Sequence, residues 1–63
     1  MEYIALIKWN DCGDIQNVRI STKNMYEGID DKIFYFFESE SDINEAMKPG
    51  VHNFVILNYQ PLN

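Results

Sequence analysis

Five consecutive apolar residues, Ile33-Phe34-Tyr35-Phe36-Phe37, stand in the middle of a 63-residue chain with no polar partner on either side of the alternation. As a strand, this run is apolar on both faces. A chain this short builds one sheet and covers one side of it, so the second apolar face calls for another molecule or another copy. Elsewhere the alternation is milder. Residues 2–9 and 15–22 alternate at the period of a half-buried strand, residues 32–38 form a third strand around the apolar run, and residues 53–59 form a fourth that Pro61 ends. Between the last two, Ser41 or Asp42 caps a short helix. Ile43, Ala46 and Met47 recur at helical spacing, and Pro49-Gly50 stops it. The expected fold is a small α+β domain, residues 1–63, of order ββ-β-α-β: an antiparallel sheet of about four strands with one short helix on one face.

The turn between the first two strands, Asn10-Asp11-Cys12-Gly13-Asp14, sets the register. Asn at the first position and Gly at the fourth suit a type I turn closed by a left-handed glycine, as in a three-residue hairpin loop. Asn10 then opposes Asp14, Leu6 opposes Val18 and Ile4 opposes Ile20. A two-residue Cys12-Gly13 loop is the other reading, and it sets Ile7 against Val18. Residues 23–31 read as a polar loop with one glycine. For the last strand, reach favours an antiparallel relation to the third. A seven-residue strand spans about 23 Å, and two turns of helix return only about 10 Å.

On the first register the core is Ile4, Leu6, Val18, Ile20, Phe34, Phe36, Ile43, Ala46, Met47, Phe54 and Ile56. The opposite face carries Tyr3, Ile7, Trp9, Arg19, Ile33, Tyr35, Phe37, Leu57 and Tyr59. Tyrosine and tryptophan go outside because each has a polar group that wants water or a partner. Monomers rarely expose apolar patches beyond roughly 300 to 600 Å², so something covers this face: the chain's own loops, a second copy, or a different protein. Tyr3, Ile7, Trp9, Arg19, Tyr35, Phe37 and Tyr59 are the expected protein-binding residues.

Composition narrows the staples and the partners. A domain this size buries only about 60% of its unfolded surface. With the single cysteine, Cys12, no internal disulfide forms, and no Cys/His cluster suggests zinc. Oligomerisation or partner binding remains. Ten acidic against five basic residues, a net charge of -5, argue against direct nucleic-acid binding. Acidic Met1-Glu2-Tyr3 and the interrupting Lys8 do not make a secretory signal, and no run approaches the roughly 20 apolar residues of a membrane span. The expectation is a cytoplasmic protein without membrane contact. Read as a complete small frame rich in Asn, Ile, Lys, Tyr and Phe, it fits a microbial or viral accessory gene; no family signature is present.

Candidate chemistry is sparse. Glu38, Glu40 and Asp42 alternate, with Glu45 following, and an extended backbone spaces the first three by about 7 Å on one face. Such a row can imitate a nucleic-acid backbone and block a basic groove; it equally suits a solvated strand end and the first turn of a helix. Cys12 and His52 are the only nucleophile and base of neutral-pH chemistry, and both fall at the hairpin end of the sheet. No nucleophile motif surrounds Cys12, so no catalytic residue is assigned. Asp11 with Asp14, and Asp30 with Asp31, lack the ligand count of a calcium loop. No metal or cofactor is expected. The leading expectation is a non-catalytic interaction protein that dimerises or binds and blocks a larger protein. The alternative is an acidic nucleic-acid mimic that inhibits a DNA- or RNA-binding protein.

Overall fold

A computed structural model describes residues 1–22 and 31–62. The hydrophobic alternation of the first segment becomes a long hairpin, β1 (Glu2–Trp9) and β2 (Ile15–Ser21). The apolar run supplies a two-residue strand, β3 (Tyr35–Phe36). The helix α1 (Glu40–Glu45) and the edge strand β4 (Phe54–Pro61) complete the fold. The protein is a small α+β fold whose four strands lie in the order β3-β2-β1-β4. β1 pairs antiparallel with both β2 and β4, while β3 pairs parallel with β2, so the sheet is mixed. The expected loop over residues 23–31 lies outside the described residues except for Asp31.

The hairpin loop is longer than either sequence reading. Trp9 N–H donates to the Asp14 carbonyl at 2.8 Å, and Gly13 N–H donates to the Trp9 carbonyl at 2.8 Å, which encloses the four residues 10–13. Gly13 does take the left-handed conformation, φ 75°. One more loop residue than expected moves the register by one: Tyr3 faces Ile20, Ala5 faces Val18 and Ile7 faces Gln16. Because strand side chains alternate, this slip turns all of β1 over.

A bulge in β4 does the same on the other flank. Pairing is Leu6 with Asn58 on one side of the irregularity and Ile7 with Ile56 on the other, so Leu57 is an extra residue. Ile56 and Tyr59, three apart, thereby share a face, which unbroken alternation forbids. Pro61 is tolerated as the last residue of an edge strand, opposite Tyr3.

α1 packs on the face formed by Tyr3, Ala5, Ile7, Val18, Ile20, Phe54 and Ile56, contributing Ile43 and Ala46, both fully buried; Phe37 joins them. The expected core members Val18, Ile20, Ile43, Ala46, Phe54 and Ile56 are buried, and Phe34 packs against them. Others are corrected. Ile4 and Leu6 lie half-buried on the opposite face, Phe36 is half-buried, and Met47 is exposed, since α1 ends at Glu45, before it. The helix also begins earlier than expected, with Ser39 as its N-cap. Its Oγ reaches Asp42 Oδ2 at 3.4 Å, and its carbonyl accepts from the Asp42 and Ile43 amides.

β3 and β4 point the same way at opposite edges of the sheet, contrary to the antiparallel expectation. A third strand of seven residues would need a long return path. With only two residues paired, there is little length to return over, and residues 37–53 cross the helix-covered face from one edge to the other. Ile56 N–H donates to the Ala46 carbonyl at 3.0 Å, anchoring the helix end to β4.

Candidate functional site

Of the seven expected protein-binding residues, six share a side of the sheet, and it is the side that α1 covers. Tyr3 (3% exposed), Ile7 (0%) and Phe37 (5%) are buried there, with Trp9 and Tyr59 packed against them. The polar groups that argued for solvent find partners on the chain itself. Tyr3 Oη donates to Glu40 Oε1 at 3.0 Å, Tyr59 Oη to Asn44 Oδ1 at 2.8 Å, and Trp9 Nε1 to Gln16 Oε1 at 3.0 Å. Both tyrosine hydroxyls thus reach the helix at the edge of the core, and their rings meet edge to face at 5.5 Å. Burial is the largest influence on the Tyr3 phenol. With the hydrogen bond and charge of Glu40 and the charge of Tyr59, it raises the phenol above its ordinary 10.0, against a smaller lowering by Thr22.

Only Arg19 of that group lies on the open face. Register places it beside Glu2, Ile4, Leu6 and Lys8 of β1, and alternation from buried Ile56 turns Val55 and Leu57 to the same side. Ile4, Leu6 and Val55 are half-buried; Leu57 is 40% and nearby Leu62 39% exposed. Glu2, Ile4, Arg19 and Leu62 line an open groove on this face. Arg19 Nη2 donates to Glu2 Oε1, while the buried Nε–H of Arg19 has no acceptor among the described residues. A buried donor left unmet costs about 1 to 3 kcal/mol. The surface is therefore aliphatic and cation-centred rather than aromatic. A parity count alone misses it, because the extra residue in each flanking connection is invisible to the alternation.

A second surface forms where the apolar run meets the turn before β4. Residues 51–53 are pinned to the hairpin by Asn10, whose Nδ2 donates to the His52 carbonyl at 2.8 Å and whose amide donates to the Asn53 carbonyl at 3.0 Å. The His52 ring then stacks on Phe54, with centroids 5.2 Å and planes 8° apart. Tyr35 lies 5.3 Å from His52, 4.7 Å from Phe37 and 5.7 Å from Phe54, and remains partly exposed. Trp9 and Phe34 extend the cluster, Phe34 lying 5.2 Å from Phe54. Tyr35 and Phe37 thus belong with the helix-side rings, against their expected placement, while Phe34 packs on the core as expected.

The acidic residues divide between two sites. Three of the four are helical, so no extended row exists. Glu40 accepts from Tyr3, away from the others. Glu38, Asp42 and Glu45 line, together with Tyr35, Phe36, Phe37, Val51 and His52, an open groove of ≈ 320 Å³. Glu45 carries an exposed ion pair with Lys48 at 3.3 Å.

Cys12 and His52 do lie at the same end of the sheet, but no hydrogen bond joins them among the described residues. The backbone at Asp14 pulls the exposed Cys12 thiol down; desolvation and the Asp11 and Asp14 carboxylates outweigh it and hold the thiol above its ordinary value. That is the reverse of thiolate activation. Among the described residues no cluster of three or more His, Cys, Asp or Glu side chains is placed to hold a metal ion, and no helix is long and apolar enough to cross a membrane. No protein-family model, curated protein or solved structure matches the chain.

Proposed function

We propose that this chain is a non-catalytic protein-interaction module that docks a larger protein on the open face of its sheet. The observation that carries this reading is the partly exposed aliphatic strip of Ile4, Leu6, Val55, Leu57 and Leu62 around Arg19, whose buried Nε–H lacks an acceptor among the described residues. A partner carboxylate or backbone carbonyl laid against the strip supplies that acceptor while removing the aliphatic groups from water.

Area favours a larger partner over a second copy. Three strands of eight residues or fewer make a face of about 26 by 14 Å, or roughly 400 Å² in plan. A standard interface buries about 800 Å² per partner, so two copies face to face form a weak dimer at best. A larger protein adds contacts beyond the sheet. The nucleic-acid-mimic alternative has less support, because its acidic residues point to two different places.

The test is affinity capture from the native host with the wild-type chain and with Leu6→Lys and Leu57→Lys variants, each first shown to fold by circular dichroism. The expected result is one protein retained by the wild type at 0.5 M salt and lost with either variant. Sedimentation equilibrium of the isolated chain should give a monomer at micromolar concentration. A partner that survives both lysine substitutions but is released at 0.5 M salt, or by neutralising Glu38 and Asp42, overturns the sheet-face reading in favour of charge mimicry.

A further inference from the structure

The groove between β3, α1 and the Val51–His52 turn pairs aromatic surface with carboxylates, and nothing in the sheet-face reading uses it. We infer that it receives an arginine side chain from a basic segment of a partner protein. This rests on the interaction reading above and adds the partner's chemistry.

Three features converge on a planar cation. First, the floor is made of ring faces and edges: Tyr35, partly exposed, with Phe37 at 4.7 Å and His52 at 5.3 Å behind it. Aromatic faces attract a guanidinium electrostatically and tolerate its flat, weakly hydrated surface. Second, the rim is acidic on the side of the helix. Glu38 makes no hydrogen bond or ion pair among the described residues, and Asp42 commits one oxygen to Ser39 at 3.4 Å. Glu45 shares its carboxylate with Lys48 in an exposed pair, the kind that contributes little and exchanges readily. The charged groups facing the groove are thus three carboxylates, with Lys48 at the outer edge of one. Third, the chain's net charge of -5 draws basic segments from a distance.

Shape distinguishes arginine from other occupants. An uncharged aliphatic side chain leaves the carboxylates without a partner, and an anionic or nucleic-acid ligand meets three like charges. A guanidinium offers five donors in one plane, enough to lie against Tyr35 while donating to Asp42 and Glu38 together. The floor is also held in place: His52 is stacked on Phe54, and its turn is fastened to the hairpin by Asn10. A pre-set site loses less on binding than one that must order first.

The experiment is an NMR titration of the isolated chain with N-acetyl-Gly-Arg-Gly-amide, using the citrulline peptide as an uncharged mimic of the same shape. The expected result is saturable shifts confined to Tyr35, Phe37, Val51 and His52 at millimolar peptide, with the citrulline peptide weaker by about tenfold. Asp42→Asn, a change of the same size that keeps an oxygen for Ser39, and Glu38→Gln should each weaken arginine binding several-fold. Equal shifts from the two peptides, shifts scattered over every acidic patch, or no saturable response to tens of millimolar peptide overturn the inference. The titration reads the groove without the sheet-face partner, so each reading can fail while the other stands.

Discussion

Replacing Ile7 or its neighbour Leu6 by alanine tests which face of β1 is the core. Ile7 is fully buried between Gln16 of β2 and Ile56 of β4, beneath the helix. Ile7→Ala removes three carbons, worth about 0.8 kcal/mol each in transfer alone, or about 2.4 kcal/mol. The residual cavity raises the expected loss to about 3 to 4 kcal/mol, within the 2 to 5 typical of such changes. Leu6 is half-buried on the open face between Asn17 and Asn58. Leu6→Ala should therefore cost about 1 kcal/mol. At about 0.05 to 0.15 kcal/mol per residue, the whole domain is stable by roughly 3 to 9 kcal/mol, so Ile7→Ala removes a large share or all of it. Urea unfolding followed by circular dichroism separates the two. With a slope near 1 kcal/mol/M for a small domain, the midpoint should fall by about 3 M for Ile7→Ala and about 1 M for Leu6→Ala. A larger loss for Leu6→Ala would refute the observed register and restore the three-residue loop.

Two further predictions concern the same interior and its turn. Tyr3 holds its neutral phenol more tightly folded than unfolded, so its contribution is fully present below its ordinary 10.0 and is lost as pH rises through the higher folded value. Melting temperatures measured across the alkaline range should fall more steeply for the wild type than for Tyr3→Phe; parallel curves would show that Tyr3 is not the responsible group. Gly13→Ala should cost about 1 to 2 kcal/mol in chemical unfolding, the strain of a left-handed alanine. Its added Cβ would meet only Lys8 Cε at 3.9 Å, an ordinary contact. A neutral or stabilising result would mean that the loop does not need the positive φ.

Two residues explain most of the difference between pattern and structure. The expected turn placed a left-handed glycine at position 13 correctly, but Asp14, counted as a loop-flanking partner of Asn10, instead closes on Trp9. In β4, Leu57 adds a residue that no propensity marks. Each shifts parity by one, and parity is all that alternation supplies. The aromatic groove was concealed differently, since Glu38, Asp42 and Glu45 are adjacent to His52 only once the chain has crossed the sheet.

By itself the sequence determined the number and order of elements, the hairpin, the helix around Ile43, and most of one group: Tyr3, Ile7, Trp9, Tyr35, Phe37 and Tyr59 share a face as expected, while Arg19 and Leu57, expected with them, lie on the other. Only the tertiary structure decided which face the helix covers, because β1 has apolar residues at both parities. Local pattern scores the two choices almost alike. The helix chooses by reach and fit: Ile43 and Ala46 join Ala5 and Ile7 in the buried cluster, and the Tyr3 and Tyr59 hydroxyls find Glu40 and Asn44 on the helix itself. Packing and hydrogen-bond satisfaction are properties of the assembled layers, so no single strand carries them.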